Sequence, residues 1–174
     1  MSPRDRLLLL ADAELARECE LDRFRGSGPG GQKRNKTESA VRLRHLPTGM
    51  VGLASDSRSQ AENRGRALRR LRENAAVELR EPVAVDGYQA PPALAALLAA
   101  GTARRGPKQR LQPAYLLAMA QLLDLFVATG CSVSDTGRLL GLSTGATSKL
   151  LLGDERIAAA ANQQRTARGM RPLS

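Results

Sequence analysis

The sequence predicts an α+β fold: a small antiparallel sheet packed by one helix, followed by a small all-α, helix-turn-helix-like domain. Three observations predict it. Residues 40–46 alternate apolar and basic side chains, then return through Pro47-Thr48-Gly49 into a second short apolar run. Ser59-Gln60-Ala61-Glu62 has the form of a capping box and opens a stretch with apolar residues at helical spacing. After Pro113 the chain carries helical rather than strand periodicity to its last residues.

The elements follow in order. Met1 to Glu18 reads as one short amphipathic helix, with Leu7, Leu8, Ala11 and Leu15 inward and Asp12, Glu14 and Arg17 outward. Its expected role is to cover the next domain. Cys19 to Arg25 reads as a strand leading into Gly26–Thr37, GSGPGGQKRNKT. That loop has no apolar side chain to pack, but its glycines let a backbone approach a partner closely, and Pro29 stiffens it. Lys33, Arg34 and Lys36 come next, so the partner is expected to be polyanionic. Gly26, Gly28 and Gly31 match G-x-G-x-x-G formally. However, the preceding CELDRFR is half charged and no parallel α/β alternation comes after it, which argues against a dinucleotide site. A phosphate loop of the Walker type fails because Gln32 stands where its lysine is required.

In the hairpin, Val41 and Leu43 are expected inward with Arg42 and Arg44 outward, and Val51 and Leu53 inward on the returning strand. The only histidine, His45, has no metal-ligand or triad partner at useful spacing and reads as structural. In the capping-box helix, Ala67, Leu68, Leu71, Ala75 and Leu79 form the apolar stripe. Arg64, Arg66, Arg69, Arg70 and Arg72 are expected on the other face. Residues 22–80 hold 14 basic and 6 acidic residues, a net +8, so most of the chain's formal charge of +10 falls on this unit. A solvated helix face usually mixes its signs; this imbalance points to an RNA or DNA surface.

Aromatic residues make up only 2% of the chain, too few for base-stacking platforms, so phosphate and shape contacts should dominate binding. Two cysteines, Cys19 and Cys131, make no disulfide framework and favour a reduced, cytoplasmic location. No run reaches membrane-spanning length, and no residue cluster asks for a metal or cofactor.

The stretch GSGPGGQKRNKTESAVRLRHLPTGMVGLASDSRSQAENRGRALRRL resembles the catalytic domain of class I peptide chain release factors and their ribosome-rescue relatives. The glycine loop, NKT, the SAVRL-H-LPTG hairpin and the RSQ–N–A–L helix agree in order and spacing. The resemblance implies a release-factor GGQ domain, whose loop enters the peptidyl-transferase centre and promotes hydrolysis of P-site peptidyl-tRNA. Gly30, Gly31 and Gln32 would carry that role. The Gln32 N–H would stabilise the tetrahedral oxyanion, and its side chain would limit the nucleophile to water. Lys33, Arg34, Lys36 and Arg58 would hold the domain against rRNA phosphates, with Arg66, Arg69 and Arg70 as further rRNA- or tRNA-binding residues. Partners implied are the ribosome and its P-site tRNA, and a glutamine methyltransferase acting on Gln32. Relatives often carry an aliphatic residue where Arg34 stands, which puts the packing after the loop in question.

The expected domains are 1–82, 83–112 and 113–174. The middle stretch reads as an extended piece, an alanine/leucine helix and a basic run with Arg104, Arg105, Lys108 and Arg110, candidates for the same RNA contacts. In the last domain Gly137, Gly141, Leu142 and Leu150 match helix-turn-helix spacing, although Gly137 stands where alanine is usual. The same pattern fits a small bundle that packs or docks without nucleic acid. No separate stop-codon-reading domain fits in 174 residues, so codon-independent ribosome rescue is the leading expectation. The alternatives are a helix-turn-helix DNA-binding regulator with an idle GGQ domain, and a non-catalytic ribosome-associated protein.

Overall fold

The structure, a computed structural model, describes residues 1–24, 39–101 and 106–174. The chain divides into two compact units, Met1–Ala75 and Ala76–Ser174.

In the first unit the N-terminal stretch forms two helices, α1 (Pro3–Leu9) and α2 (Asp12–Arg17), where one continuous helix was expected. Leu10 and Ala11 adopt extended backbone between them. The break has a physical cause in Arg72, which donates to the Leu10 carbonyl at 2.7 Å and to Asp12 Oδ1 at 2.6 Å. The freed carbonyl and the first-turn carboxylate of α2 bind the two Nη atoms of this buried guanidinium, while its Nε has no hydrogen-bond partner among the described residues. Leu7, Leu8 and Leu15 are fully buried, as their spacing predicts, whereas Ala11, expected inward with them, falls at the break and is exposed.

Three strands come next, β1 (Cys19–Phe24), β2 (Ala40–His45) and β3 (Val51–Ala54), in the order β1-β2-β3 and antiparallel throughout. Helix α3 (Gln60–Glu78) covers one face of the sheet; it starts at Ser59, whose Oγ accepts from the Glu62 N–H at 3.3 Å. Val41 and Leu43 are buried beneath it, as are Ala67, Leu68, Leu71 and Ala75 of the helix. Leu79 lies one residue past the end of α3 and is only half-buried.

The facing of β3 is the reverse of the expectation. Gly52 and Ala54 are buried, while Leu53 is 44% exposed. Register explains this: Leu43 pairs with Gly52 and Val41 with Ala54, so these residues share the inner face. At Gly52 a Cβ would lie 2.1 Å from the Ala67 carbonyl oxygen and 2.8 Å from the Leu71 Cβ. The helix therefore approaches the strand too closely for any larger residue. On the outer face, cross-strand partners pair their charges: Asp22 with Arg42 at 2.6 Å, and Glu20 with Arg44 at 2.7 Å.

The expectation for Arg72 also fails. It does not stand on an exposed arginine face but is 5% exposed, held by Asp12 and Leu10 as above. Nearby side chains of α3 blunt the free edge of β3: Asn74 donates to the Val51 carbonyl at 2.9 Å and Arg70 to the Leu53 carbonyl at 2.8 Å.

The second unit is helical among its described residues: α4 (Pro92–Ala99), α5 (Pro107–Arg110), α6 (Pro113–Ala128), α7 (Val133–Leu140), α8 (Thr144–Leu152) and α9 (Glu155–Thr166). Leu94 and Leu97 of α4 join Met119, Leu122, Leu123 and Phe126 of α6 and Ile157 of α9 in one core. Near the start of this unit Asp124, 3% exposed, lies 3.0 Å from the Arg80 guanidinium and accepts from the Glu81 N–H at 3.1 Å.

The α7–α8 pair has the turn its spacing predicts. Ser132 and Ser143 cap the two helices, and Gly141 closes α7 with φ +67°. Gly137, unusual at its position, has a reason here. A Cβ would lie 2.7 Å from Thr147 Oγ1 and 2.8 Å from the Leu142 carbonyl oxygen, so the two helices cross too tightly for alanine.

Candidate functional site

Gly30, Gly31, Gln32, Lys33, Arg34 and Lys36 lie outside the described residues, as do Arg104 and Arg105. What is described is the frame that bears residues 25–38. The strands on either side, β1 and β2, are neighbours, and their last and first residues, Phe24 and Ala40, are register partners.

A single buried amide ties this frame together. Asn63, 0% exposed, donates through Nδ2 to the Ser39 carbonyl at 2.7 Å and the Ser57 carbonyl at 2.8 Å. Its Oδ1 accepts from the Ser57 N–H at 2.9 Å. The entry to β2, the turn after β3 and the first turn of α3 therefore meet at one side chain. In the sequence Asn63 belongs to the RSQ–N–A–L pattern, which assigns it no role of its own. The available signal was its place on the stripe of Ala67 and Leu71, at i, i+4 and i+8, where an apolar residue is the ordinary choice.

The predicted cationic residues differ in their surroundings. Arg70 donates to Asp56 Oδ1 at 2.9 Å as well as to the Leu53 carbonyl. Arg66 lies 3.9 Å from Asp56 and 3.7 Å from Glu62. Asp56 is held below the usual carboxylate range, first by the Arg70 hydrogen bond. Arg58, Arg64 and Arg69 are exposed and form no ion pair or hydrogen bond among the described residues. Such exposed pairs contribute little to stability, about 0–1 kcal/mol, so all these guanidinia are available at small cost. In the other unit Lys108 is exposed on α5, while the Arg110 Nε lies 3.8 Å from Asp154.

The remaining reactive groups are engaged or blunted. His45 is buried, with Nδ1 2.8 Å from Thr48 Oγ1 and Nε2 3.1 Å from Glu18 Oε2. Both ring nitrogens are thus occupied, as the structural reading of this histidine expects. Burial pushes both cysteine thiols up, Cys19 and Cys131 alike, away from the thiolate form. Among the described residues no group of three or more His, Cys, Asp or Glu could hold a metal ion, and no helix is long and apolar enough to cross a membrane.

The three-stranded sheet, α3 and the Gly30-Gly31-Gln32 sequence between β1 and β2 all fall within residues 13–85. Residues 13–85 match the RF-1 domain family. Among curated proteins, the chain is similar to peptide chain release factor 2 of Buchnera aphidicola subsp. Baizongia pistaciae, 52% identical over 56 residues, 32% of this chain and 15% of that protein. It is likewise similar to peptide chain release factor 1 of Kineococcus radiotolerans, 53% identical over 55 residues, 32% of this chain and 16% of that protein. Peptide chain release factor 1 of Xylella fastidiosa gives 53% over 55 residues, 32% and 15%. The chain thus spans only about a sixth of the length of these relatives. No solved structure matches it.

Proposed function

We propose that this chain hydrolyses peptidyl-tRNA on stalled ribosomes, independently of a stop codon. The observation that carries the reading is the match of residues 13–85 to a release-factor domain with the Gly30-Gly31-Gln32 triplet intact inside it. In this reading water attacks the ester carbon that joins the nascent peptide to the tRNA. The developing oxyanion accepts a hydrogen bond from the Gln32 N–H, and the tRNA ribose leaves as its hydroxyl. Gly30 and Gly31 allow the backbone geometry that aims this donor. Ribosomal RNA and the tRNA terminal ribose supply the rest of the site, which accounts for a domain whose histidine is fully engaged elsewhere. Lys33, Arg34, Lys36 and the exposed cations of α3 hold the domain to rRNA.

The rescue branch draws its support from the chain beyond the domain. The family match ends at residue 85, and past it the chain builds a helical unit with its own core. That unit, with the basic stretch Arg104–Arg110, recognises the stalled state in this reading. The α7–α8 helix-turn-helix also supports a second reading, a DNA-binding regulator with an idle GGQ domain.

Peptide release from ribosome-bound peptidyl-tRNA with an empty decoding site tests the proposal. Gly31→Ala, whose Cβ restricts the backbone that aims the Gln32 N–H, is expected to lower the release rate about 10²–10³-fold, the usual cost of losing an aligned oxyanion donor, with ribosome binding nearly unchanged. Wild-type release by Gln32→Ala and Gly31→Ala removes the catalytic reading. Sequence-specific duplex DNA binding with no release favours the regulator.

A further inference from the structure

The solvent side of α3 is not a uniform row of arginines. By helical spacing Glu62, Gly65, Arg66, Arg69 and Arg70 share it. Arg66 and Arg70 both reach Asp56, at 3.9 and 2.9 Å, whereas Arg69 is exposed without an ion pair among the described residues. Arg58, in the turn before the helix, is exposed in the same way. Between these cations stands Gly65. A Cβ there would meet nothing within 4 Å and its φ is not left-handed, so nothing within the described chain calls for a glycine. Glycine is among the least favourable residues in a helix interior, and one at an open position suits close approach by something outside the chain.

We propose that this side of α3 docks the ribose–phosphate backbone of structured RNA over Gly65, and that Asp56 is its built-in competitor. Arg58 and Arg69 meet phosphate directly. Arg66 and Arg70 are held by Asp56 in the free protein and pass to phosphate on docking, Arg70 through the Nη2 that now serves Asp56. The occupant is chosen by charge: four arginines, Arg58, Arg66, Arg69 and Arg70, stand with two carboxylates, Asp56 and Glu62, within a segment of net +8. Guanidinium forks match phosphate geometry, and Arg66 and Arg70 are about 6 Å apart along the axis, suited to neighbouring phosphates of one strand. The inference rests on the release reading only in taking the RNA to be ribosomal; binding is read without release.

The test titrates the full chain with a short mixed-sequence RNA duplex across a range of salt. For the wild type, log affinity should fall linearly with log salt. Arg69→Gln breaks no bond within the described chain; it should leave Tm unchanged and reduce the salt slope by about one. Asp56→Asn should tighten binding several-fold, and Asp56→Glu, which keeps a competitor, should stay near wild type. Gly65→Gln, placed in open space, should weaken binding several-fold with Tm unchanged or raised. Wild-type affinity and slope in Arg69→Gln overturns the proposal, as does Asp56→Asn without tightening while its fold is intact. Equally tight binding of polyglutamate would overturn it too, by assigning the surface to an acidic protein. If RNA binding shifts as described but the chain releases no peptide, the surface stands and the hydrolase reading falls. Release without these shifts removes the surface and leaves the hydrolase reading in place.

Discussion

Asn63 hydrogen-bonds the Ser39 carbonyl across 24 residues of sequence, so the residue that ends the GGQ connection is held by the first turn of α3. Asn63→Ala would leave the Ser39 and Ser57 carbonyls and the Ser57 N–H without their partner. A loss of about 1–3 kcal/mol of stability is expected, read by urea denaturation. Asn63→Asp is the sharper variant. It keeps the acceptor for Ser57 N–H but sets a carboxylate against two carbonyl oxygens, and should be at least as harmful. Because the entry to β2 shifts with it, the saturated release rate should drop more than ribosome affinity. Unchanged stability in both variants would show that the amide is dispensable.

Gly52→Ala is expected to be among the most damaging single-methyl additions in the first unit. The new Cβ would meet backbone of α3 at Ala67, and backbone cannot rotate away as a side chain can. Separating strand from helix should cost about 3 kcal/mol, the upper part of the usual overpacking range. Thermal melts of Gly52→Ala beside Gly65→Ala check this, since the second position is open and should tolerate the methyl.

Much of this architecture was legible because its signals are periodic. The hairpin turn, the Ser59 cap, the Ala67–Leu68–Leu71–Ala75 stripe and the α7–α8 turn can each be read from spacing, and each appears where expected. The facing of β3 was not legible. Val51 and Leu53 look like the buried pair by hydrophobicity, but the inner positions went to the smaller Gly52 and Ala54, since the helix comes so near. A pattern of side chains does not encode how close two backbones lie. Arg72 escaped for a related reason: its partners, Asp12 and the Leu10 carbonyl, are 60 and 62 residues away in sequence. The unequal surroundings of Arg66, Arg69 and Arg70 depend likewise on Asp56, which belongs to the turn before the helix. Composition alone gave the sign of the surface and nothing of its internal competition.

Glu18 links α2 to the end of β2 and predicts an acid-sensitive first unit. Its carboxyl is held below the ordinary range by the Arg6 hydrogen bond first and by His45 second. A group whose folded pKa is depressed contributes stability above its unfolded pKa, and that contribution is lost as pH falls through the folded value. Stability should therefore decline as pH drops below about 4, the ordinary glutamate range. Glu18→Gln should be less stable than wild type at neutral pH and should converge with it in acid. Melting temperatures of both proteins from neutral to acid pH check the sign; a constant gap would exclude Glu18 as a contributor.

In the helical unit, Asp124 faces the Arg80 guanidinium and the Glu81 N–H. Removing the carboxylate takes the counter-charge from a largely buried cation, which keeps only its hydrogen bonds to carbonyls such as those of Ala76 and Ala120; loss of a buried partner costs up to about 3–5 kcal/mol. Asp124→Ala should therefore destabilise this unit strongly. Asp124→Asn should be milder, because its carbonyl oxygen can still accept from Glu81. Equal effects of the two variants would mean that volume rather than charge pairing matters there.

The last prediction separates recognition from chemistry. Arg104, Arg105 and Lys108 lie beyond the matched domain, while Gln32 lies within it. Arg110 is left in place, since its guanidinium lies near Asp154 and changing it risks the α9 cap. A cationic segment remote from the ester acts by keeping the loop near its target, which raises the effective concentration without lowering the chemical barrier. Replacing Arg104, Arg105 and Lys108 by glutamine should thus raise the concentration for half-maximal release about tenfold or more and flatten its salt dependence. The saturated rate should stay close to wild type. Gly31→Ala, which misaims the Gln32 N–H, should behave in reverse, with the half-maximal concentration held and the saturated rate collapsed. Release measured against protein concentration for both variants decides the point. A fall in saturated rate from the triple substitution would place the basic segment in the chemistry rather than in docking.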